Sequence, residues 1–269
     1  TWVDPLLSRT NCSWGGLTKE FIGGEYTYAR NEVCHTFGPL LNWSKSQSYH
    51  KQPCLTDEEV NQKMLANARL WLEDDPSVEI ISITQNDAAP QDTGECTCDN
   101  CKASNEKYGA SGTMLNFVNR MAAELAVDYP NLKIETLAYI HTEEAPKGGV
   151  VPADNVMIRF CTMAGCIMHS LTGEDRSQTN VYPANTNKHY KNLLAWSEIT
   201  DNLYIWEYDI NFGSIFTCFP NFQRLYENLH FYHEIGVKGV FVQGMGETGE
   251  FDHLRAYLCT QLLWNPDMI

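Results

Sequence analysis

Short β-branched and aromatic runs alternate along this chain with longer amphipathic stretches. Most of the short runs are apolar almost throughout, as in Ile80-Ile81-Ser82-Ile83, which is typical of parallel strands that are covered on both faces. We predict six strands, over residues 32–37, 79–84, 133–140, 155–161, 202–206 and 238–243.

The stretches between these runs predict helices. Thr56-Asp57-Glu58-Glu59 has the form of a capping box, and an apolar stripe follows it until Pro76. Further apolar stripes predict helices over residues 113–129, 187–199, 221–235 and 251–262. Residues 141–154 are the exception, because their prolines and glycines break any helical pattern between the third and fourth strands. Strands that alternate with helices predict βα units and a parallel sheet.

Polar and aromatic residues follow the carboxyl ends of nearly every predicted strand. An open doubly wound sheet collects its ligand-binding residues at one switch point, whereas a (β/α)8 barrel collects them from many strand ends. The distribution therefore favours an α/β fold of the TIM-like (β/α)8 barrel type. Such a barrel needs about 250 residues from its first strand, so we expect its first one or two strands to lie before Thr1. Residues 1–269 are then one N-terminally incomplete barrel domain.

Composition and charge narrow the class of protein. The chain has 19 Lys and Arg residues against 34 Asp and Glu residues, a formal net charge of −15. This acid excess disfavours binding to nucleic acid, because phosphate contacts need clustered basic side chains. No apolar run reaches the roughly 18 residues that a membrane span requires. The 10 cysteines are many for a cytosolic enzyme of this size, so we expect a secreted, periplasmic or cell-surface protein.

The strongest spacing signal is Cys96-Thr97-Cys98-Asp99-Asn100-Cys101. Three thiols this close together suit a metal-binding knuckle or a cluster of disulfides. Cys54 is placed to supply the fourth ligand that a closed tetrahedral zinc site requires. Structural zinc and disulfides are equal alternatives on the sequence. A catalytic metal is disfavoured, because four thiol ligands leave no open position.

Two acidic positions predict carbohydrate chemistry. Asp87 ends an apolar strand and precedes a turn, so we expect its carboxylate at the mouth of the barrel, with a turn cap as the alternative. Glu207 lies among Trp206, Tyr208 and Asp209 on the fifth predicted strand. Two carboxyl groups across a glycosidic bond act as acid and as base or nucleophile. We therefore predict Asp87 and Glu207 as catalytic residues, with solvated acids at a strand end as the alternative for Glu207.

Other polar and aromatic residues at the strand ends are predicted to bind the substrate. They are His35, Asn86, Tyr139, His141, Arg159, Trp206, Tyr208, Asp209, Asn211 and Gln243. A lone histidine is more often structural, so that reading stays open for His35 and His141. Arg159 interrupts an apolar strand, where it needs a buried anionic partner or binds a carboxylated sugar. A glycine-rich loop with Glu247 and Glu250 follows the last strand but lacks the spacing of a phosphate cradle.

Six ordered motifs occur between Cys34 and Pro266, and the resemblance that they carry covers the chain from about Arg9 to Pro266. They are Cys34-His35-Thr36-Phe37, Gln85-Asn86-Asp87, Cys96-x-Cys98-x-x-Cys101, Tyr204-Ile205-Trp206-Glu207-Tyr208, Gly239-Val240-Phe241-x-Gln243-Gly244 and Leu262-Leu263-Trp264-Asn265-Pro266. Together they resemble a bacterial family of domains of unknown function, found mostly in secreted or surface proteins of polysaccharide degraders. That family is similar at the fold level to the barrels of α-glucuronidases and β-hexosaminidases.

The resemblance implies a glycoside-hydrolase-like barrel. The strand over residues 79–84 would be the fourth and the strand over residues 238–243 the eighth, which puts Asp87 at the position of an acidic catalytic residue. The Asp-Glu pair of the hexosaminidases is absent here, and Glu207 stands where the family usually has Asp.

We therefore expect a glycoside hydrolase that acts on a polysaccharide or glycan by carboxylate acid/base catalysis and needs no cofactor for it. Its partner is a carbohydrate, and a further N-terminal segment or accessory domain of a longer protein is expected. One alternative is a non-catalytic carbohydrate-binding barrel. The other is a thiol- or zinc-dependent protein centred on the three-cysteine motif.

Overall fold

The computed structural model describes residues 27–48, 51–88, 92–163, 165–172, 184–209, 211, 214, 219–243 and 251–267. They group into two compact units, the first up to Arg159 and the second from Phe160 onward. The single domain expected over residues 1–269 stays a prediction. In this part of the chain, no helix combines the length and the hydropathy that crossing a membrane requires. The loop with Glu247 and Glu250 lies outside the described residues.

Five of the six predicted strands are confirmed. They are β1 (Ile80–Ser82), β2 (Lys133–Ala138), β3 (Val156–Cys161), β4 (Leu203–Tyr208) and β5 (Gly239–Gln243). The strand order of the sheet follows the chain, β1-β2-β3-β4-β5. Strand β1 runs parallel to β2 with Ile80 opposite Lys133, and β4 runs parallel to β5 with Tyr204 opposite Gly239. Parallel neighbours need a crossover between them, which explains the long segments that separate the strands.

The strand predicted over residues 32–37 is wrong. Residues 32–36 have no regular structure, and helix α1 (Phe37–Leu40) follows at once. His35 has a φ of 55°, which an extended backbone does not allow. Thr36 is nevertheless fully buried, and its Oγ1 donates to the carbonyl of Ser82 at 2.7 Å. The segment lies beside β1 without a strand ladder, with Thr36 buried and Val33, Cys34 and His35 partly buried, and its apolar pattern is the same as that of a strand.

The α/β class is confirmed, but the TIM-like (β/α)8 barrel is wrong. Within the described residues the sheet has five strands, and its order ends at β1 on one side and at β5 on the other. Polar residues at the carboxyl ends of strands mark ligand sites in barrels and in open parallel sheets alike. Closure depends instead on the number and the stagger of the strands, which the polarity of the strand ends does not encode.

The predicted helices are confirmed as α3 (Glu58–Asp74), α4 (Asp99–Asp128), α5 (Ala184–Ser197), α6 (Phe222–Glu234) and α7 (Asp252–Trp264), and a short α2 covers Lys45–Ser48. The N-cap of α3 is Asp57 rather than Thr56, because the Asp57 side chain accepts from the Glu59 amide at 2.9 Å. Helix α4 begins well before its apolar stripe, and Gly109, with a φ of 77°, divides the polar first part from the buried second part.

The helices cover the strands and form the core with them. In the first unit, Met64 of α3 and Phe117 and Met121 of α4 are fully buried with Ile80 and Ile134. In the second unit, the buried residues of α6 include Leu225, Leu229 and Tyr232. Between β2 and β3 the chain forms only a 3-10 helix (Ile140–Thr142), as the broken pattern of residues 141–154 predicts. That turn brings Tyr139 and His141 to the carboxyl end of β2.

Candidate functional site

Asp87 lies at the centre of a polar cluster in the first unit. Its carboxylate is exposed just beyond the carboxyl end of β1, and the Tyr139 hydroxyl donates to its Oδ1 at 3.1 Å. The His35 ring lies against the Tyr139 ring with 5.9 Å between their centroids. The Nδ1 of His35 is 2.9 Å from the carbonyl oxygen of Gln85. Three of the predicted site residues, from three separate segments, therefore share one place.

The residues beside Asp87 hold this cluster in position. The side chain of Asn86 is buried, where its Oδ1 accepts from the Gly38 amide and its Nδ2 donates to the Lys51 carbonyl, both at 2.8 Å. Gln85 donates from Nε2 to Thr142 Oγ1 at 2.8 Å. The Asn86 amide is thus bound through both of its polar atoms, and the Gln85 amide through its Nε2. The predicted role of Asn86 in binding a ligand stays a prediction.

Two backbone positions in the cluster are strained. His35 has a φ of 55° and Ile140, next to Tyr139, has a φ of 53°. Histidine enters the left-handed region more readily than most residues, but for a β-branched isoleucine it is a genuine outlier that costs on the order of 1–3 kcal/mol. Strain of this kind is concentrated at ligand and active sites. Positive φ also occurs at Arg30, Asn31, Asn42 and Phe251, so the strain beside Asp87 is a supporting observation and does not define a site by itself.

His141 faces a different part of the first unit. It lines a cavity of about 30 Å³ together with Gln85, Glu95 and Cys96, which has room for one or two water molecules rather than a sugar. Burial lowers the pKa of His141, although the Glu95 carboxylate opposes the shift. We infer a neutral imidazole at neutral pH. Its predicted contact with substrate stays a prediction.

Arg159 has the buried anionic partner that its position in an apolar strand demands. Its guanidinium forms an ion pair with Glu135 of β2, and its Nη2 also donates to the Tyr28 hydroxyl at 2.7 Å. Glu135 is fully buried. Burial raises the pKa of its carboxyl group, and the neighbouring Arg159 charge opposes that shift. These contacts fit the structural ion pair that the sequence left open, and the predicted role of Arg159 in binding a substrate stays a prediction.

The second unit carries aromatic residues on one face of β4. The Trp206 indole donates from Nε1 to Gln243 Oε1 of β5 at 2.9 Å. Its ring stacks on Tyr208 with a centroid distance of 6.1 Å and meets Phe241 edge to face at 4.6 Å. Trp206 is partly exposed, whereas Tyr208 is buried. Asn211 lies beyond this strand, where its carbonyl oxygen accepts from the Ser214 amide at 3.1 Å.

Glu207 lies on the opposite face of β4, because successive side chains of a strand alternate. It is fully buried, forms an ion pair with Arg224 of α6, and accepts a hydrogen bond from the Tyr232 hydroxyl. Burial and the Glu207 charge raise the pKa of Tyr232 far above its usual value, so the phenol stays protonated and donates a hydrogen bond to Glu207. The placement of Glu207 is that of a structural anion. Its predicted catalytic role stays a prediction.

Asp209 extends this buried network toward α7. Its Oδ1 accepts from Asn221 Nδ2 at 2.8 Å, and its Oδ2 lies 3.2 Å from Arg255 Nη1. Arg224 is also close, at 3.8 Å from Oδ1. Burial raises the pKa of Asp209 to about 6, because the loss of hydration outweighs the attraction of the two arginines. The two acids and two arginines of this network balance in charge.

Four cysteines of the first unit form a cluster. The Sγ of Cys54 lies 3.7 Å from that of Cys98 and 3.6 Å from that of Cys101, and with Cys96 all four sulfur atoms are within 4.8 Å of one another. Cys98 caps α4, where the Cys101 amide donates to its Sγ at 3.4 Å and lowers the pKa of Cys98 to about 6. The four predicted ligands are thus together in a group that could bind a metal ion.

The sequence analysis did not predict one pair of potentially reactive side chains, Cys166 and His169. After β3, the Sγ of Cys166 lies 3.1 Å from Nδ1 of His169. The signal for it was present, since a cysteine and a histidine three residues apart follow the carboxyl end of a predicted strand. Arg224, Tyr232 and Arg255 were missed as well. No local sequence motif predicts these three residues, because they contact Glu207 and Asp209 only through the packing of helices on the sheet.

Comparison with known proteins assigns the chain to a family. Residues 20–268 match the family described as a domain of unknown function (DUF4838), and the chain belongs to that family. The resemblance to a family of this kind is therefore confirmed. No curated protein matches the chain. Since the family has no assigned function, a function has to be inferred from the side chains and their geometry.

The Glu135–Arg159 pair yields a test of structural against ligand-binding roles. We expect Arg159→Met to lower the free energy of unfolding by about 3–5 kcal/mol, because it leaves Glu135 buried without its partner. The double variant Arg159→Met with Glu135→Leu should regain most of that loss. Arg69→Met, which removes a half-exposed pairing with Asp128, serves as the control and should cost no more than about 1 kcal/mol. Urea denaturation measures all three, and a small loss for Arg159→Met alone would return Arg159 to the ligand-binding reading.

The raised pKa of Asp209 predicts a dependence of stability on pH. Between the usual value of 3.8 and about 6, the unfolded chain ionises Asp209 while the folded chain keeps it protonated, so the free energy of unfolding falls as pH rises. The stability of the wild type relative to Asp209→Asn should therefore decrease from pH 4 to pH 6 and stay level above it. Urea denaturation across this range measures the difference. A difference that is constant or rises with pH would contradict the assignment.

Proposed function

We propose that the protein is a glycoside hydrolase that acts on a polysaccharide or glycan, with Asp87 as its acid/base residue. The observation that carries the proposal is the exposed Asp87 carboxylate at the end of a buried strand, 3.1 Å from the Tyr139 hydroxyl. A positioned carboxyl group that reaches solvent can exchange a proton with a glycosidic oxygen. The strained backbone at His35 and Ile140 supports a functional role for the same place.

The side chains around Asp87 supply the other needs of a sugar site. The His35 ring is partly exposed beside Asp87, and a ring face can pack against the C–H surface of a pyranose, whereas Tyr139 is buried behind it. The Tyr139 phenol also fixes the direction of the Asp87 carboxylate. Asn86 and Gln85 are hydrogen-bonded to neighbouring backbone and side-chain groups, so they support the cluster from beneath. This division between exposed and supporting residues is what a preorganised site requires.

The burial of Glu207 favours a second candidate function, carbohydrate binding without turnover. Hydrolysis by two carboxyl groups requires both of them at the glycosidic bond. Glu207 has no exposed surface and is bound by Arg224 and Tyr232, so it is available as base or nucleophile only if those contacts open. Without a second carboxylate, the same cluster would still hold a sugar through the exposed Asp87 and the partly exposed His35, with Tyr139 orienting Asp87.

Reducing-sugar release from a panel of polysaccharides tests the proposal. We expect Asp87→Asn to reduce product release by a factor of about 100 or more, the contribution of a general acid or base, with an unchanged thermal melt. Glu73→Gln, an exposed acid on α3, is the matched control and should keep full activity.

The outcomes separate the two candidate functions. No product from any glycan, with saturable binding heat in calorimetry, would replace hydrolysis by binding. Full activity of Asp87→Asn would overturn the role of Asp87. Glu207→Gln adds a further arm: loss of product with an unchanged melt would assign it to catalysis, whereas a lower melting temperature is expected from its ion pair.

An exported location goes with the proposed substrate. Polysaccharides are too large to enter a cell intact, and a chain with 10 cysteines is suited to an oxidising compartment. We therefore propose a secreted, periplasmic or cell-surface location as part of the same hypothesis.

We further propose that the four-cysteine cluster holds a structural zinc ion. Zinc–thiolate bonds of about 2.3 Å in a tetrahedron place neighbouring sulfur atoms about 3.8 Å apart. The sulfur separations of 3.6 and 3.7 Å from Cys54 agree with that spacing, whereas a disulfide needs about 2.05 Å. Bound there, the ion would join the segment before α3 to the first turn of α4 and to Cys96, which follows the Asp87 strand. Four thiolates leave no position for a substrate, so the role would be structural.

Metal analysis tests the zinc proposal. We expect about one zinc ion per chain, and we expect Cys54→Ser or Cys96→Ser to lose it together with several degrees of melting temperature. Cys34→Ser, outside the cluster, is the control and should keep the ion. A metal-free protein whose four thiols become alkylated only after reduction would show disulfides instead.

A further inference from the structure

A tight turn after β3 presents a thiol to an imidazole. Cys166 and His169 are both partly exposed, and the Sγ of Cys166 lies 3.1 Å from Nδ1 of His169. The space at Gly165 is tight, because a Cβ there would lie 3.1 Å from the Thr162 carbonyl oxygen and 3.3 Å from the His189 ring. Cysteine and histidine within hydrogen-bond reach are the arrangement that activates a thiol for nucleophilic attack.

The distance favours a hydrogen bond over a shared metal ion. In a tetrahedral zinc site, bonds of about 2.3 Å to sulfur and about 2.0–2.1 Å to nitrogen hold the two ligand atoms about 3.6 Å apart. The observed 3.1 Å is shorter and suits direct transfer of a proton between Sγ and Nδ1. This pair therefore differs in chemistry from the four-cysteine cluster of the first unit.

Helix α6 and its N-cap hold the backbone of this loop with three polar side chains. Asn221 donates to the Ile167 carbonyl at 2.8 Å, and Arg224 donates from Nε to the Cys166 carbonyl at 3.0 Å. Asn228 accepts from the Leu171 amide at 2.8 Å. Positions 221, 224 and 228 lie on one face of the helix, and all three residues are at most 2% exposed. The loop is thus preorganised by buried contacts that a simple connecting turn does not need.

The described charged groups behind the loop are paired with one another, and the His169 imidazole lies beside the thiol. Arg224 is bound to Glu207 and Asp209, and Arg255 to Asp209. These two acids and two arginines neutralise one another. Among the contacts of the described residues, Nδ1 of His169 lies at hydrogen-bond distance from the Cys166 sulfur, at 3.1 Å.

We propose that Cys166 is a nucleophilic thiol, activated by His169, that is covalently modified by small soft electrophiles. In the step, His169 takes the thiol proton, the sulfur forms a bond to an electrophilic carbon, and a leaving group such as iodide departs with its electron pair. The proposal does not depend on the proposed hydrolase or on Asp87. It assigns the second unit a reactive site of its own.

Cys98 is the described cysteine that competes for this chemistry, because it is exposed and its pKa is lowered to about 6. Cys161 and Cys259 are buried, and burial raises the pKa of Cys34 to about 12. The four cysteines of the cluster lie next to one another, and a bound ion would protect their sulfur atoms from alkylation. Loading the protein with zinc therefore removes the exposed Cys98 as a competitor.

Iodoacetamide labelling of the zinc-loaded full chain, with each cysteine followed by peptide mass spectrometry, tests the proposal. At pH 7 we expect Cys166 to react at least about tenfold faster than free glutathione, and we expect His169→Ala to slow it about tenfold or more. His169→Gln should be as slow, because an amide can hydrogen-bond but cannot take up the proton. His230→Ala, a partly exposed histidine on α6, is the matched control and should leave the rate unchanged.

Two results would overturn the proposal: reaction of Cys166 no faster than glutathione, or equal rates in the wild type and in both His169 variants. If the variants unfold, the pH profile of the wild type decides. A histidine-paired thiol keeps its rate below pH 8, whereas an ordinary thiol loses about tenfold per pH unit below its pKa of about 8.5. The second profile would also refute activation by His169.

Discussion

The buried guanidinium of Arg224 is the group on which the polar structure of the second unit depends. A charge at 2% exposure is tolerated only with full compensation, and Arg224 has it from Glu207 and Asp209 on β4. The same side chain holds the carbonyl of Cys166. One helix residue therefore links the acids of β4 to the loop that carries the Cys166–His169 pair. We expect a substitution at any of these groups to shift the positions of the others.

In the first unit, a buried charge is compensated by a residue of a neighbouring strand rather than of a helix. Its buried carboxylate, Glu135, is neutralised by Arg159 from the neighbouring strand, inside the sheet. Asp87 lies beyond the carboxyl end of β1, where it reaches solvent and accepts a hydrogen bond from Tyr139. Charge is compensated inside the sheet and left accessible at its carboxyl edge, which is where parallel sheets generally bind ligands. This contrast separates a structural carboxylate from a candidate catalytic one within a single pair of strands.

The proposed zinc site and the Asp87 cluster are joined by a short piece of chain. Cys96 is the first cysteine after Asp87, and Gln52, two residues before Cys54, donates to the Asn86 carbonyl at 2.9 Å. An ion held by Cys54 and Cys96 would therefore anchor both segments that flank the cluster. A small sheet with few covering elements gains more from such a cross-link than a large domain does.

Local patterns in the sequence determined the parallel α/β class, five strands, the long helices and the four cysteines that come together, because periodicity and ligand spacing are properties of neighbouring residues. They also located Asp87 at a strand end. Only the tertiary structure decided that residues 32–36 are not a strand, since burial beside β1 has the same apolar pattern. Only it distinguished Glu207 from Asp87: both are acids at strand ends, but β4 turns Glu207 toward Arg224 of α6, and the partner of a buried charge is chosen by packing between distant segments.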